Sequence, residues 1–127
     1  MLVDTLSAYR SFLADLREQR LVVYDTETSG LRIWDGDHIA GLAIGFADGR
    51  TFYLPVRHAT EVPRVTFDKV VNGRSRRTVR VVHDDFIDRS FRQLPVRVIA
   101  EVWSAIRESG AEVVMHNAKF DIHMTEN

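Results

Sequence analysis

Apolar residues recur along the first twenty positions at the spacing of an amphipathic helix: Leu6, Tyr9, Phe12, Leu13 and Leu16 share one face. This pattern predicts a helix from Thr5 to about Gln19, with Asp4 placed to cap its start. The pattern then changes. Leu21 to Tyr24 is a short unbroken apolar run, which predicts a central strand covered on both faces. Ile39 to Ala47 reads as a second strand. Leu42, Ile44 and Phe46 fall on one face of it, while Gly41, Ala43 and Gly45 leave the other nearly bare. Asp48-Gly49 is a strong hairpin dipeptide, so Thr51 to Val56 is expected to return antiparallel as a third strand.

Between Pro63 and Pro95 the pattern is less regular. Val65–Val71 and Thr78–Val82 read as two strands around Asn72-Gly73, a hairpin insert within residues 64–92 whose tip would be Asn72–Arg77. Val98, Ile99, Val102, Trp103 and Ile106 then mark a helix over 96–109, with Pro95 near its first turn and Gly110 just past its end. Glu112 to Met115 reads as a further strand, and "HNAKFDIHMTEN" begins another helix. No internal repeat or low-complexity tract interrupts the chain.

Composition narrows the class. With 127 residues, 45% of them hydrophobic and 28% charged, the chain suits one globular domain with a core of its own. The absence of cysteine excludes disulfides and thiolate metal sites and is compatible with a reducing cytosol, so a cytoplasmic setting is the expectation. Residues 1–20 carry Asp4, Asp15 and Glu18 and no continuous apolar run, so they do not read as a secretory signal. No stretch is apolar enough for a membrane span. The net charge of −1 means that a nucleic-acid partner would need a local basic patch. The segment from Arg64 to Arg92 holds eight of the seventeen basic residues, including Arg74, Arg76, Arg77 and Arg80. These four could contact phosphates. Asp68, Asp84, Asp85 and Asp88 dilute the field, and a solvated hairpin tip is the plainer reading.

The chemistry gathers where the first strand ends, in "YDTETSG". Asp25 and Glu27 are two residues apart, so on an extended chain both point to the same face. Two such carboxylates repel each other unless a positive charge sits between them, and a divalent metal ion meets that need. A solvated strand end or a helix-capping pair is the alternative on spacing alone.

"LVVYDTETSGL" and "HNAKFDIHM" together resemble the 3′–5′ proofreading exonuclease domain of family A DNA polymerases, within the DEDD exonuclease superfamily. The first motif of that family, Asp-x-Glu within Asp-Thr-Glu-Thr-x-x-Leu, is matched by Asp25, Thr26, Glu27, Thr28 and Leu31. Its second motif, Asn-x-x-x-Asp at the start of a helix, is matched by Asn117 to Asp121. "YLPVRH", Tyr53 to His58, is similar to the exit of the third strand in phage and bacterial members. The resemblance covers roughly residues 5–63 and 93–127, and the Arg-rich insert has no counterpart in the compact members. The third motif, Tyr-x-x-x-Asp, does not occur in the chain. The expectation is therefore the N-terminal portion of an exonuclease domain, stopping before the fourth carboxylate.

The resemblance implies a ribonuclease H-like mixed sheet, with three antiparallel strands, one parallel strand and flanking helices. It implies hydrolysis of the 3′-terminal phosphodiester of DNA by a two-metal mechanism using Mg²⁺ or Mn²⁺. Asp25 would bridge both ions, Glu27 would bind the ion that generates hydroxide, and Asp121 would support the second ion directly or through water. Thr28 and Leu31 match positions lying against the 3′-terminal nucleotide; turn chemistry and core packing would equally explain them. Asn117 could hold that nucleotide or cap its helix. Trp34 could stack on a base or pack in its loop. His58, His116 and His123 do not form a zinc-like spacing. The implied partners are a single-stranded DNA 3′ end and the rest of a polymerase or a completing chain, with no membrane. The competing function is a catalytically incomplete module that binds a 3′ end or a partner protein without cutting.

Overall fold

A computed structural model describes residues 1–30, 37–59, 64–67, 77–80 and 87–126. The chain order is α1 (Leu6–Arg17), β1 (Leu21–Thr28), β2 (Ile39–Phe46), β3 (Thr51–Pro55), β4 (Arg64–Phe67), β5 (Arg77–Arg80), α2 (Val98–Ser109), β6 (Glu112–Val114) and α3 (Ala118–Glu126).

The main sheet has the order β3-β2-β1-β6. β1 pairs antiparallel with β2, β2 antiparallel with β3, and β6 parallel with β1. The fold is thus α/β with a mixed sheet and flanking helices, as the sequence pattern leads one to expect. The turn between β2 and β3 is closed by Phe46 N–H on the Arg50 carbonyl at 2.9 Å. Gly49 adopts a φ of 92° there, a conformation that costs glycine little because it has no Cβ. Residues 1–3 line the outer edge of β3, where Val3 N–H donates to Tyr53 O and Tyr53 N–H to Met1 O. Among the described residues β6 is the opposite edge, and it has no further strand beside it.

β4 and β5 pair antiparallel in a separate two-stranded ribbon, with Arg64 opposite Arg80 and Phe67 opposite Arg77. The described parts of the two expected strands are Arg64–Phe67 and Arg77–Arg80; the rest of both runs lies outside the described residues. The Asn72-Gly73 turn expected between them lies outside the described residues.

The helices cover one face of the main sheet. Tyr9, Phe12 and Leu16 of α1 and Val98, Val102, Ala105 and Ile106 of α2 join Val22, Tyr24, Leu42, Ile44, Phe52 and Leu54 in one core. Tyr9 Oη donates to Glu101 Oε2 at 2.6 Å and ties α1 to α2. Met124 brings α3 into the same core.

Three local expectations change. The N-cap of α1 is Thr5, whose Oγ1 accepts from Ala8 N–H; Asp4 instead faces Arg92 at 3.4 Å. β1 runs on through the acidic pair to Thr28, because β2 supplies ladder partners as far as Ile39. Among the described residues β1 is covered on one face rather than both: Val23 is 45% exposed and its parallel neighbour Val114 50% exposed. An unbroken apolar run does not distinguish a doubly covered strand from one whose second face is left open.

Candidate functional site

Alternation along β1 sorts its side chains onto two faces. Val22, Tyr24 and Thr26 point into the core; Val23, Asp25 and Glu27 point to the open face. Asp25 lies opposite Ala43 and Glu27 opposite Gly41, so the carboxylates stand beside the small side of β2. This is the placement expected of an exposed carboxylate pair on one face.

Beyond β2, Tyr53 of β3 lies opposite Ala43 and shares the face of Asp25. Its ring lies across Gly41, where a Cβ would overlap the phenol hydroxyl and Cζ. Gly41 is the cross-strand partner of Glu27, so the Tyr53 hydroxyl is delivered to the row of that carboxylate. Burial first, and then the charge of Glu27, raise the Tyr53 phenol above its ordinary value. Tyr53 Oη shares a hydrogen bond of 2.5 Å with His58 Nε2. His58 is itself held at both backbone atoms. Its N–H donates to Gln93 Oε1 at 2.7 Å and its carbonyl accepts from Gln93 Nε2 at 2.9 Å.

Gly41→Ala should therefore lower stability by about 1–3 kcal/mol, the usual cost of overpacking, by displacing the Tyr53 ring. Urea titration of Gly41→Ala, Tyr53→Ala and the double variant tests this. The double variant should cost little more than Tyr53→Ala alone; simple additivity would mean that the ring does not fill that space.

Asp121 occupies a different environment. It lies in the first turn of α3, is 2% exposed, and accepts a 2.6 Å hydrogen bond at Oδ1 from Thr26 Oγ1. Its Oδ2 is buried without a hydrogen-bond partner. Tyr24 Oη and Thr125 Oγ1 are 2.7 Å apart, and Thr125 Oγ1 donates to the Asp121 carbonyl at 2.8 Å. Burial pushes the Tyr24 phenol up to about 12. Thr26 sits between Asp25 and Glu27 in the chain but projects from the other side of β1. Asp121 therefore belongs to the helix-covered face, and Asp25 and Glu27 to the open one.

This separation bears on the ions that the resemblance implies. Asp25 and Glu27 are both exposed oxygen donors on one face, the donor type that a hard divalent ion takes. The set of three does not assemble: among the described residues, no group of three or more His, Cys, Asp or Glu is placed to hold a metal ion. The expected convergence of Asp25, Glu27 and Asp121 is thus replaced by a pair on one face and a lone buried carboxylate on the other.

The remaining candidates divide in the same way. Thr28 Oγ1 donates to the Gly30 carbonyl at 2.9 Å, which is the turn chemistry its type suggests. Asn117 is exposed, and its carbonyl accepts from Asp121 N–H at 3.0 Å to open α3. Arg77 and Arg80 bound β5. Leu31, Trp34, Arg74 and Arg76 lie outside the described residues. Sequence reasoning overlooked Thr26, hidden inside the motif it separates, and the joint placement of Tyr53, His58 and Gln93. The signal for the latter was "YLPVRH", in which a proline-terminated strand carries a tyrosine and a histidine past the acidic pair.

No protein-family model and no curated protein matches this chain. Among the described residues, no helix is long and apolar enough to cross a membrane.

Proposed function

We propose that the chain belongs to a metal-dependent 3′–5′ exonuclease domain of the DEDD type, with a ribonuclease H-like fold, acting on the 3′ end of single-stranded DNA. The observation that carries this reading is the exposed Asp25–Glu27 pair. It leaves a central strand side by side, on a sheet face that no described helix covers. The mixed strand order around β1 and the Asn-x-x-x-Asp start of α3 agree with it. In this reading Asp25 and Glu27 contribute oxygen ligands for Mg²⁺ or Mn²⁺, and the catalytic set is completed by residues that the described fold does not gather. In this reading Arg74, Arg76, Arg77 and Arg80 of the 64–92 insert are the candidates for phosphate contact, with a solvated segment the plainer alternative, and a polymerase or completing chain is the protein partner.

One observation favours the second reading, a module that binds a 3′ end or a partner without cutting. Asp121 is engaged with Thr26 on the far side of β1 from the pair. The two readings share the ion-binding pair and differ in turnover.

Titration of Mn²⁺, followed by water-proton relaxation, tests the shared part. Wild type should bind weakly, because two carboxylates leave the ion most of its waters. Asp25→Ala should lose binding, and Asp121→Ala, which removes a carboxylate from the other face, should retain it. Equal binding by wild type and Asp25→Ala would show that the pair is not the ion site.

A further inference from the structure

Three aromatic rings contact one another in succession, starting in the row of Glu27. Tyr53 and His58 have ring centroids 5.9 Å apart at 54°, and His58 and Phe91 5.6 Å apart at 64°. The succession begins over Gly41, next to Glu27, and ends at Phe91, which is 44% exposed. A single exposed apolar ring is ordinary on a protein surface; what sets Phe91 apart is the way the segment carrying it is fixed. The segment carrying it is not loose. Asp88 N–H donates to His58 O at 2.8 Å, Ala59 bridges Ile87, and Gln93 clasps both His58 and the Asp88 carbonyl. Leu94 N–H then donates to the Pro55 carbonyl at 2.8 Å. The backbone on both sides of Phe91 is therefore fixed to the exit of β3, and the ring is held outward.

The surroundings suit a polyanion with flat bases. Arg89 is exposed two residues before Phe91, with no ion-pair partner among the described residues. Arg92 is exposed immediately after it and pairs through Nε with Asp4 at 3.4 Å, which leaves its terminal nitrogens for a second anion. A flat apolar ring flanked by cations is the arrangement that seats single-stranded nucleic acid, since every base has a face to stack and every linkage a phosphate to pair. A peptide partner would have no comparable need for a ring succession leading to a carboxylate pair.

We infer that Phe91 is a base-stacking platform for single-stranded nucleic acid and that the Phe91–His58–Tyr53 succession leads the strand towards Asp25 and Glu27. This rests on the proposed function and adds to it a strand path that the acidic motifs do not specify. Phe91 carries the stack, Arg89 and Arg92 take the phosphates, and Gln93 positions His58 behind the ring.

The test is fluorescence anisotropy of a 5′-labelled dodecathymidylate and of an abasic strand of equal length, both in EDTA so that no cleavage occurs. Wild type should bind the base-containing strand more tightly than the abasic one. Phe91→Ala should weaken binding of the base-containing strand by roughly 5- to 150-fold, the span of one stacked base, and should bring the two strands close to parity. Phe91→Trp should retain the preference. Because Phe91 is exposed, its replacement leaves the core intact, and circular dichroism of the variant checks this. Unchanged affinity and preference in Phe91→Ala, with wild type binding, would overturn the platform while leaving the exonuclease reading standing. Absence of binding by wild type would overturn the platform too, and the Mn²⁺ titration reads the carboxylate pair separately.

Discussion

Thr26→Val should lower the free energy of unfolding by about 2–3 kcal/mol, although the two side chains are nearly equal in volume and valine favours a strand. The reason lies in the group left behind. Thr26 supplies the one hydrogen bond that the Asp121 carboxylate receives among the described residues, and Asp121 Oδ2 is already buried without a partner. Removing the hydroxyl leaves a whole carboxylate in the interior with nothing to answer it, which costs more than the hydrogen bond itself contributes. Asp121→Ala should cost less, about 1 kcal/mol, because the stranded hydroxyl is smaller and can turn. Replacing both partners removes both orphans, so Thr26→Val with Asp121→Ala should be more stable than Thr26→Val alone. Urea unfolding of the four proteins gives the coupling directly. Effects that simply add would show that Thr26 and Asp121 do not meet, and that α3 does not sit on β1 by this contact.

Purified as it stands, the 127-residue chain should release no mononucleotides from a 3′-labelled single strand above an EDTA control, in Mg²⁺ or Mn²⁺. Two features lead to this. The third motif of the resembled family does not occur in the sequence, and the carboxylate of the second motif lies on the opposite side of β1 from the first. Misplacement of a reacting group by about 1 Å can cost roughly 100-fold, and a change of sheet face is larger than that. The assay should be run at two protein concentrations about 50-fold apart, because a second copy could supply a missing carboxylate; the scaling with concentration separates that case. Robust release, proportional to protein, would overturn the expectation and would require Asp121 to reach the open face in solution. In that event Thr26→Val, which frees Asp121, should raise the rate.

The acidic pair, Tyr53 and His58 differ in how far they can be seen from the sequence. Asp25 and Glu27 are legible because their relation is local: spacing two on a strand forces a common face whatever surrounds it. Gly41, Ala43 and Gly45 are legible as a bare side for the same reason. Phe91 is not, because its meaning depends on Gln93 clasping His58 from 35 residues away. Thr5 rather than Asp4 caps α1, a choice between two adjacent cap-forming residues that sequence alone leaves nearly balanced.

The sequence by itself determined the elements and the order of inward and outward positions along each of them. Helical spacing in α1 and α2, alternation in β2, the Asp48-Gly49 turn and the glycine at 110, with its φ of 68°, all act over a few residues. Any fold that buries the apolar set must respect them. Tertiary structure decided which face of β1 the helices would cover, and hence that Thr26 rather than Asp25 or Glu27 would meet Asp121. Alternation states that neighbours on a strand part company, but it does not say which side the next helix takes. That follows from where Tyr24, Trp103 and Met124 can pack together, with Tyr24 and Trp103 ring centroids 5.4 Å apart. Burial of those side chains draws α3 across the Tyr24 face, and Asp121 goes with it.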